Sequence, residues 1–198
     1  TSMLVGTDSE IIGIIALRDE IRKDAIETVR RLKKSGIEVI MITGDNQATA
    51  HAIAETLGIT HYHAELLPEQ KLDEIRYLRR KFGRVAMVGD GINDAPALAA
   101  ASVGIAMGVA GTDTALETAD IALMADDLTK LPYLVNLSKR AHRVIGQNIW
   151  ASILIKFSLA LGVFPGLVSL VIAVLVGDMG ASLGVTSNAL RLARVSSK

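Results

Sequence analysis

The chain has 198 residues, half of them hydrophobic, with 21 basic residues balanced by 21 acidic ones. That length holds one domain with a good core and a short extra segment. Neutrality gives no electrostatic reason for a nucleic-acid partner, and the lack of cysteine excludes a disulfide framework or a thiolate metal site within these residues. Mean hydropathy is positive, and the apolar material is concentrated: residues 1–145 mix charge with hydrophobicity, whereas 147–190 are nearly uncharged. The expected organisation is a soluble domain over 1–127, a linking helix over 128–146, a transmembrane hairpin over 147–190 and a tail over 191–198. No signal peptide precedes the first part and Thr1 is not an initiator Met, so a longer parent protein is expected.

In chain order, residues 2–5 and 11–17 read as strands separated by Gly6-Thr7-Asp8. Residues 24–35 carry Ile26, Val29 and Leu32 at helical spacing among charges, an amphipathic helix closed by Gly36. The β-rich run 38–42 feeds straight into Thr43-Gly44-Asp45, and the next helix, 46–57, closes at Gly58. A strand ending in a small turn before a helix suits phosphate, because the Thr43 hydroxyl and the helix N–H groups can both hydrogen-bond a phosphoryl oxygen. Taken alone, Thr-Gly-Asp is equally well a plain helix cap. His61 and His63 bracket Tyr62 in a short strand and point to one side. With His51 they suggest zinc, yet no Cys or acidic cluster joins them, and surface or sheet-edge positions fit better. A helix opening at Leu67-Pro68-Glu69-Gln70-Lys71 and running to about Phe82 turns Leu72, Ile75 and Leu78 inward. Lys71 then lies in the first turn, where a cation opposes the helix dipole. Either the ammonium neutralises a bound phosphoryl group or it is an ordinary surface lysine.

Val85-Ala86-Met87-Val88 reads as a buried strand ending in Gly89-Asp90-Gly91-Ile92-Asn93-Asp94, and Pro96 stands where the first turn of a helix begins. Ligands of α/β sheets bind at such carboxyl ends. Gly89 and Gly91 let the backbone approach a ligand, while Asp90, Asn93 and Asp94 aim hard oxygen donors at one small volume, which suits Mg2+ beside a phosphate. An Asp- and Gly-rich strand-to-helix turn is the plainer alternative. Strands over 103–107 and 121–123, with a short helix over 112–118, complete an alternation that implies an α/β fold with a doubly wound, Rossmann-like parallel sheet. Asp126-Asp127 is assigned to helix capping before Leu128.

The run from Gly89 through Asp94 to Ala95-Pro96-Ala97-Leu98, with Thr43-Gly44-Asp45 upstream, resembles the phosphorylation domain of P-type ATPases, a branch of the haloacid dehalogenase-like (HAD-like) superfamily. The resemblance implies use of ATP and Mg2+. It gives Thr43, Gly44, Asp45, Lys71 and Asn93 to catalysis, and Asp90, Gly91 and Asp94 to cofactor binding, with Asp90 and Asp94 as Mg2+ ligands. The nucleophilic aspartate, which the family carries in Asp-Lys-Thr-Gly-Thr, does not occur here. In the family that motif and the nucleotide-binding domain come earlier, so the isolated chain is expected to be inactive and its sheet to lack a central strand. Arg18-Asp19-Glu20-Ile21-Arg22 resembles the family's D-P-x-R segment, with Glu20 where proline is common; a charged helix entry explains it at least as well.

Lys139, Arg140, His142 and Arg143 precede the first apolar segment, and Arg191, Arg194 and Lys198 follow the second, so both flanks are expected in the cytosol. Segments 147–164 and 167–185, joined by Pro165-Gly166, are each close to the roughly 20 residues that span lipid. A buried hairpin of a soluble protein is the alternative. Lys156 lies eleven residues beyond Ile145 and Asp178 twelve before Leu190, which places each roughly 17 Å deep at a helical rise. There they can face each other, as part of an ion site or as a pair that only orients the helices. Asn148…Lys156 and Gly177-Asp178-Met179-Gly180…Asn188-Ala189-Leu190-Arg191-Leu192 resemble the last two membrane helices of heavy-metal pumps of the zinc, cadmium and lead group. Neither the Met-x-x-Ser-Ser of the copper group nor the His-Glu-Gly of the cobalt group occurs. The resemblance implies that Asp178 is an oxygen ligand or charge partner for Zn2+, Cd2+ or Pb2+ and that Lys156 is a built-in counter-ion, with Cys-Pro-Cys thiolates on an earlier helix outside the chain.

The expected function is therefore the carboxy-terminal part of an ATP-driven divalent-metal exporter, multi-pass in the plasma (inner) membrane. Its expected partners are membrane lipid, a divalent metal ion and the rest of the same pump chain, with no nucleic acid. The helix from Leu128 into the membrane would link phosphorylation to Asp178. Two rivals are a membrane-anchored phosphatase of the same superfamily and a non-catalytic remnant that regulates an intact pump.

Overall fold

The structure, a computed structural model, describes residues 2–7, 10–16, 20–90, 94–107, 117–123 and 125–194. It divides into two units, Thr1–Thr129 and Lys130–Lys198.

In the first unit, β1 (Ser2–Gly6) and β2 (Ile11–Ala16) form an antiparallel hairpin with an irregularity between Val5 and Gly6. A side chain at Gly6 would come within 2.6 Å of the Glu10 carbonyl, so the turn requires glycine. Then follow α1 (Ala25–Lys34), β3 (Ile40–Ile42), α2 (Gln47–Leu57), β4 (His61–His63), α3 (Pro68–Phe82), β5 (Ala86–Gly89), α4 (Ala95–Ala100), β6 (Val103–Met107) and β7 (Ile121–Leu123). β3 pairs with β4 and β5–β6–β7 form a triplet, all parallel, as helical crossovers dictate. Successive β3 side chains point to opposite faces. Met41 meets Val29, Ala54 and Ile59 under α1 and α2, whereas Ile40 and Ile42 pack on Ile75, Leu78, Met87, Ala97 and Leu98 of α3, β5 and α4. Helices on both faces of parallel strands are the doubly wound α/β architecture expected from the sequence. Among the described residues no ladder joins β3 to β5; the two pieces share the Ile75–Leu98 cluster instead.

Two burial expectations change. Along α1 the inward residues are Ala25, Thr28 and Val29, and Ile26 is exposed, because the docked face is rotated from the most hydrophobic stripe. β5 is not buried on both sides: Met87 is buried against α3 and α4, whereas Ala86 and Val88 are exposed. Of the expected helix over 112–118, residues 112–116 lie outside the described residues, as do Arg18 and Asp19. Asp127 does cap a turn, accepting from the N–H and the hydroxyl of Thr129, and the helix that follows starts at Lys130 rather than 128. Asp126 does something else: its carbonyl accepts from Arg22 at 2.7 Å and its carboxylate pairs with the same guanidinium.

The second unit is a helical hairpin. α5 (Lys130–Val163) is one uninterrupted helix. After a turn containing Gly166 at φ +76, Ser169 caps α6 (Leu170–Val174), so this helix begins three residues later than expected. It continues through a π-helical turn (Leu175–Gly180), α7 (Ala181–Leu190) and a 3-10 turn (Arg191–Arg194). Both helices are long and apolar enough to cross a membrane, and the burial of their apolar windows is 0 % and 11 %. A core helix of a soluble protein would be mostly buried, so these values weigh against the soluble hairpin. Ile149, Trp150, Ile153, Leu154, Ile155 and Phe157 are all exposed on α5 and point around its whole circumference, the all-round hydrophobicity expected of a membrane span. The helices approach closely at Gly177, where a Cβ would sit 3.3 Å from Leu159.

Candidate functional site

The C-terminal end of β3 runs directly into the Thr43 turn. The Thr43 N–H bonds the His63 carbonyl at 2.9 Å, while the Thr43 hydroxyl donates to Asp45 Oδ2 at 2.9 Å and accepts from the Asp45 N–H at 3.1 Å. Asn46, not Asp45, caps α2, accepting from the Thr49 N–H. The turn is clamped from the far side: Leu66 N–H donates to the Thr43 carbonyl and Glu65 N–H to the Asp45 carbonyl. A side chain at Gly44 would meet the Leu66 carbonyl at 3.3 Å. Glu65 takes φ +57, a conformation rare outside glycine, and no sequence signal had singled it out.

This clamp continues into α3. Leu67 N–H bonds Gln70 Oε1 at 2.8 Å, Pro68 opens the helix, and one turn later Lys71 extends to Asp94, Nζ to Oδ1, at 2.7 Å. Both side chains are largely buried, 16 % and 15 % exposed. Asp94 precedes α4, whose first turn contains Pro96 as expected. Its carboxylate lies over Gly89, where a Cβ would come within 2.9 Å of Oδ2. Asp90 follows immediately after β5 and is exposed. The fold thus links Thr43, Gly44 and Asp45 to the start of α3, Lys71 to Asp94, and Asp94 to the Gly89–Asp90 strand end. Gly91 and Asn93 lie outside the described residues.

The donor set at this strand end fits a hard cation such as Mg2+. Asp90 and Asp94 offer carboxylate oxygens, and glycine at position 89 leaves the space in which the Asp94 carboxyl sits. The histidines lie apart from this strand end: Tyr62 Oη contacts His51 Nδ1 at 3.3 Å, His61 Nδ1 lies 3.2 Å from Glu38 Oε1 and His63 Nε2 lies 3.5 Å from Glu74 Oε1. Among the described residues, no group of three or more His, Cys, Asp or Glu side chains assembles as a metal site.

In the helical hairpin, Lys156 Nζ and Asp178 Oδ1 are 3.1 Å apart, as their depths along the two helices imply. Asp178 sits within the π-helical turn, which no periodicity had indicated; such turns recur where a helix must redirect one functional side chain. Nearer the charged ends, Asn188 Nδ2 donates to Asn148 Oδ1 at 2.8 Å and joins the two helices.

Comparison with known proteins follows the same division. The family model for haloacid dehalogenase-like hydrolases matches residues 2–102. A probable cadmium-transporting ATPase of Listeria monocytogenes is 56% identical over 98% of this chain, and a zinc-transporting ATPase of Bacillus subtilis is 48% identical over 97%. The chain spans 27% and 30% of the length of those two relatives. The crystal structure of a zinc-transporting PIB-type ATPase in its E2.Pi state matches with TM-score 0.87 and 44% identity, over 98% of this chain and 31% of that one. These similarities and the two apolar helices support a membrane location. The chain belongs to the haloacid dehalogenase-like hydrolase family, in the P-type ATPase branch, and corresponds to about a quarter of the transporting ATPases it resembles.

Proposed function

We propose that this chain is the phosphoryl-binding and ion-releasing part of an ATP-driven exporter of divalent heavy-metal ions, in which residues 1–127 serve as the phosphorylation domain. The observation that carries this reading is the Lys71–Asp94 contact, which brings a cation from one helix start to the acidic strand end beside Asp90. The phosphorylated group is an aspartate outside this chain, and the lack of a ladder between β3 and β5 among the described residues is consistent with a strand supplied from there. The Gly44 N–H donates to a phosphoryl oxygen, and so does the Thr43 hydroxyl once its single proton turns away from Asp45 Oδ2, while the Asp45 N–H keeps the hydroxyl oxygen in place. Lys71 offsets phosphoryl charge, held in position by Asp94 when that site is empty. Asp90 and Asp94, with Asn93 and Gly91, would hold Mg2+, which when bound neutralises negative charge developing on the phosphoryl group.

In the hairpin, Asp178 offers a carboxylate to the transported Zn2+, Cd2+ or Pb2+, with softer ligands coming from helices outside the chain. Lys156 takes that carboxylate after release, and the 3.1 Å contact supports this assignment. A hairpin serving only as an anchor has no use for two charges inside apolar helices. Both basic flanks face the cytosol, as does the phosphorylation domain, in the plasma (inner) membrane. The unbroken course of α5 supports a mechanical link between ATP use and Asp178. Insertion of a Gly-Ser pair near Val144 in the whole pump should therefore uncouple transport from ATP use; coupled transport in that variant would remove the link. The purified 198-residue chain should show no steady ATP hydrolysis, and contaminant-free turnover would overturn the division of labour.

A further inference from the structure

At the charged end of the hairpin lies a cavity of about 300 Å³, lined by Arg140, Arg143, Val144, Gln147, Arg191 and Leu192. Four of these residues fall at positions i, i+3, i+4 and i+7 of α5 and share one face; the other two come from the 3-10 turn after α7. Three arginines, all exposed, therefore line one open cavity. Arg140 donates to Asn136 and Arg191 to Asn188, both neutral amides. Among the described residues, no carboxylate pairs with any of the three arginines. Arginine does not deprotonate in a protein, so the cavity is permanently cationic.

Its position narrows the choice of anion. Just beyond it on α5, Ile145, Ile149 and Trp150 are exposed, as is Leu190 on the other helix, so the cavity sits where the apolar surface begins. Val144 and Leu192 put apolar wall beside the guanidinium groups. A site that is cationic on one side and apolar on the other, at the edge of a membrane span, matches an amphiphile with an anionic head. Arg191 is also oriented for this: Asn188 accepts from its guanidinium at 3.1 Å while donating to Asn148 on the opposite helix.

We propose that this cavity binds the phosphodiester headgroup of an anionic phospholipid, with Arg140, Arg143 and Arg191 as ligands and Asn188 as the positioning residue for Arg191. Arginine suits the task because its planar fork grips two phosphate oxygens at once, and basic pockets between membrane helices on the cytoplasmic side are a general mode of headgroup recognition. A lipid held there would join α5 to the end of the second helix without touching Lys156 or Asp178. The inference rests on the membrane-spanning reading of the hairpin.

The test uses the whole pump in nanodiscs of phosphatidylcholine alone or doped with phosphatidylglycerol, with retained lipid counted by native mass spectrometry. The wild type should retain phosphatidylglycerol in preference to phosphatidylcholine. Each of Arg140→Gln, Arg143→Gln and Arg191→Gln should weaken that preference about fivefold, and the triple variant should abolish it. Inorganic phosphate at physiological salt should not displace the lipid; displacement would assign the pocket to free anions and overturn the proposal. Equal retention by the triple variant and the wild type would also overturn it. If the triple variant does not fold, the wild type decides alone: no preference for phosphatidylglycerol sinks the headgroup site. Failure of the pump to enter nanodiscs of either composition would instead remove the membrane reading beneath it.

Discussion

Two lysine–aspartate pairs of similar geometry occupy opposite surroundings in this molecule. Lys71 and Asp94 meet at 2.7 Å with only 16 % and 15 % of their side chains exposed, walled in by the α/β unit itself. Lys156 and Asp178 meet at 3.1 Å with 62 % and 65 % exposed, on helices whose neighbouring side chains are apolar. In water the second pair would contribute at most about 1 kcal/mol. In lipid, each charge left alone would cost about 2.5–3.5 kcal/mol. The first pair owes its persistence to protein that excludes water, the second to the bilayer. The same chemistry is therefore cheap to separate in water and costly to separate in lipid.

The comparison is most exposed to attack at Lys71. In the whole pump, Lys71→Ala should lower ATP hydrolysis by about 10²- to 10³-fold, the loss typical of one pre-organised group facing developing charge. Steady-state turnover within twofold of wild type would make the pair a structural contact only. Asp178→Ala should lower zinc- or cadmium-stimulated hydrolysis about tenfold or more, since outer partners of a metal ligand alone carry effects of that size. Unchanged metal stimulation would remove Asp178 from the ion site and leave the second pair as a helix-orienting contact.

Smaller effects sharpen the picture of each unit. Gly89→Ala puts a methyl 2.9 Å from Asp94 Oδ2, and should cost about 1–3 kcal/mol in denaturant unfolding of the α/β unit within the whole protein. Asn188→Ala removes the hydrogen bond to Asn148 and should cost about 0.6 kcal/mol of hairpin stability in detergent; a much larger loss would show that the amide contact, more than close packing, holds the helices together. Least of all, Glu27 accepts hydrogen bonds from Arg31 and Arg30, which hold its carboxyl below the ordinary value of 4.5. Its contribution is present above that pH and lost as the pH falls through the lower folded value. Glu27→Gln should flatten the acid side of the stability profile, read by thermal melts across pH.

Much of the site was legible because its signals are local. Gly89, Asp90, Asp94 and Pro96 declare a strand end, a donor cluster and a helix start within eight residues, and Gly58 closes α2 where short-range hydrogen bonding requires a left-handed residue. Less legible was anything that depended on the partner surface. Ile26 looked like a core residue until α1 docked with Thr28 inward, and Val88 until β5 was found covered on one face only. Glu65 and Leu66 escaped notice because their contribution is backbone hydrogen bonding to a turn twenty residues upstream.

From the order of its residues alone, the chain determined its class, its strand–helix alternation, its apolar hairpin and the residue types of both charged sites. Those properties follow from periodicity, end-capping and composition, which act over a few residues. Tertiary structure alone decided that Lys71 belongs with Asp94, that the helices come close at Gly177 and Leu159 and that three arginines line one cavity. Such pairings join residues far apart in the chain, and their geometry depends on how whole surfaces pack.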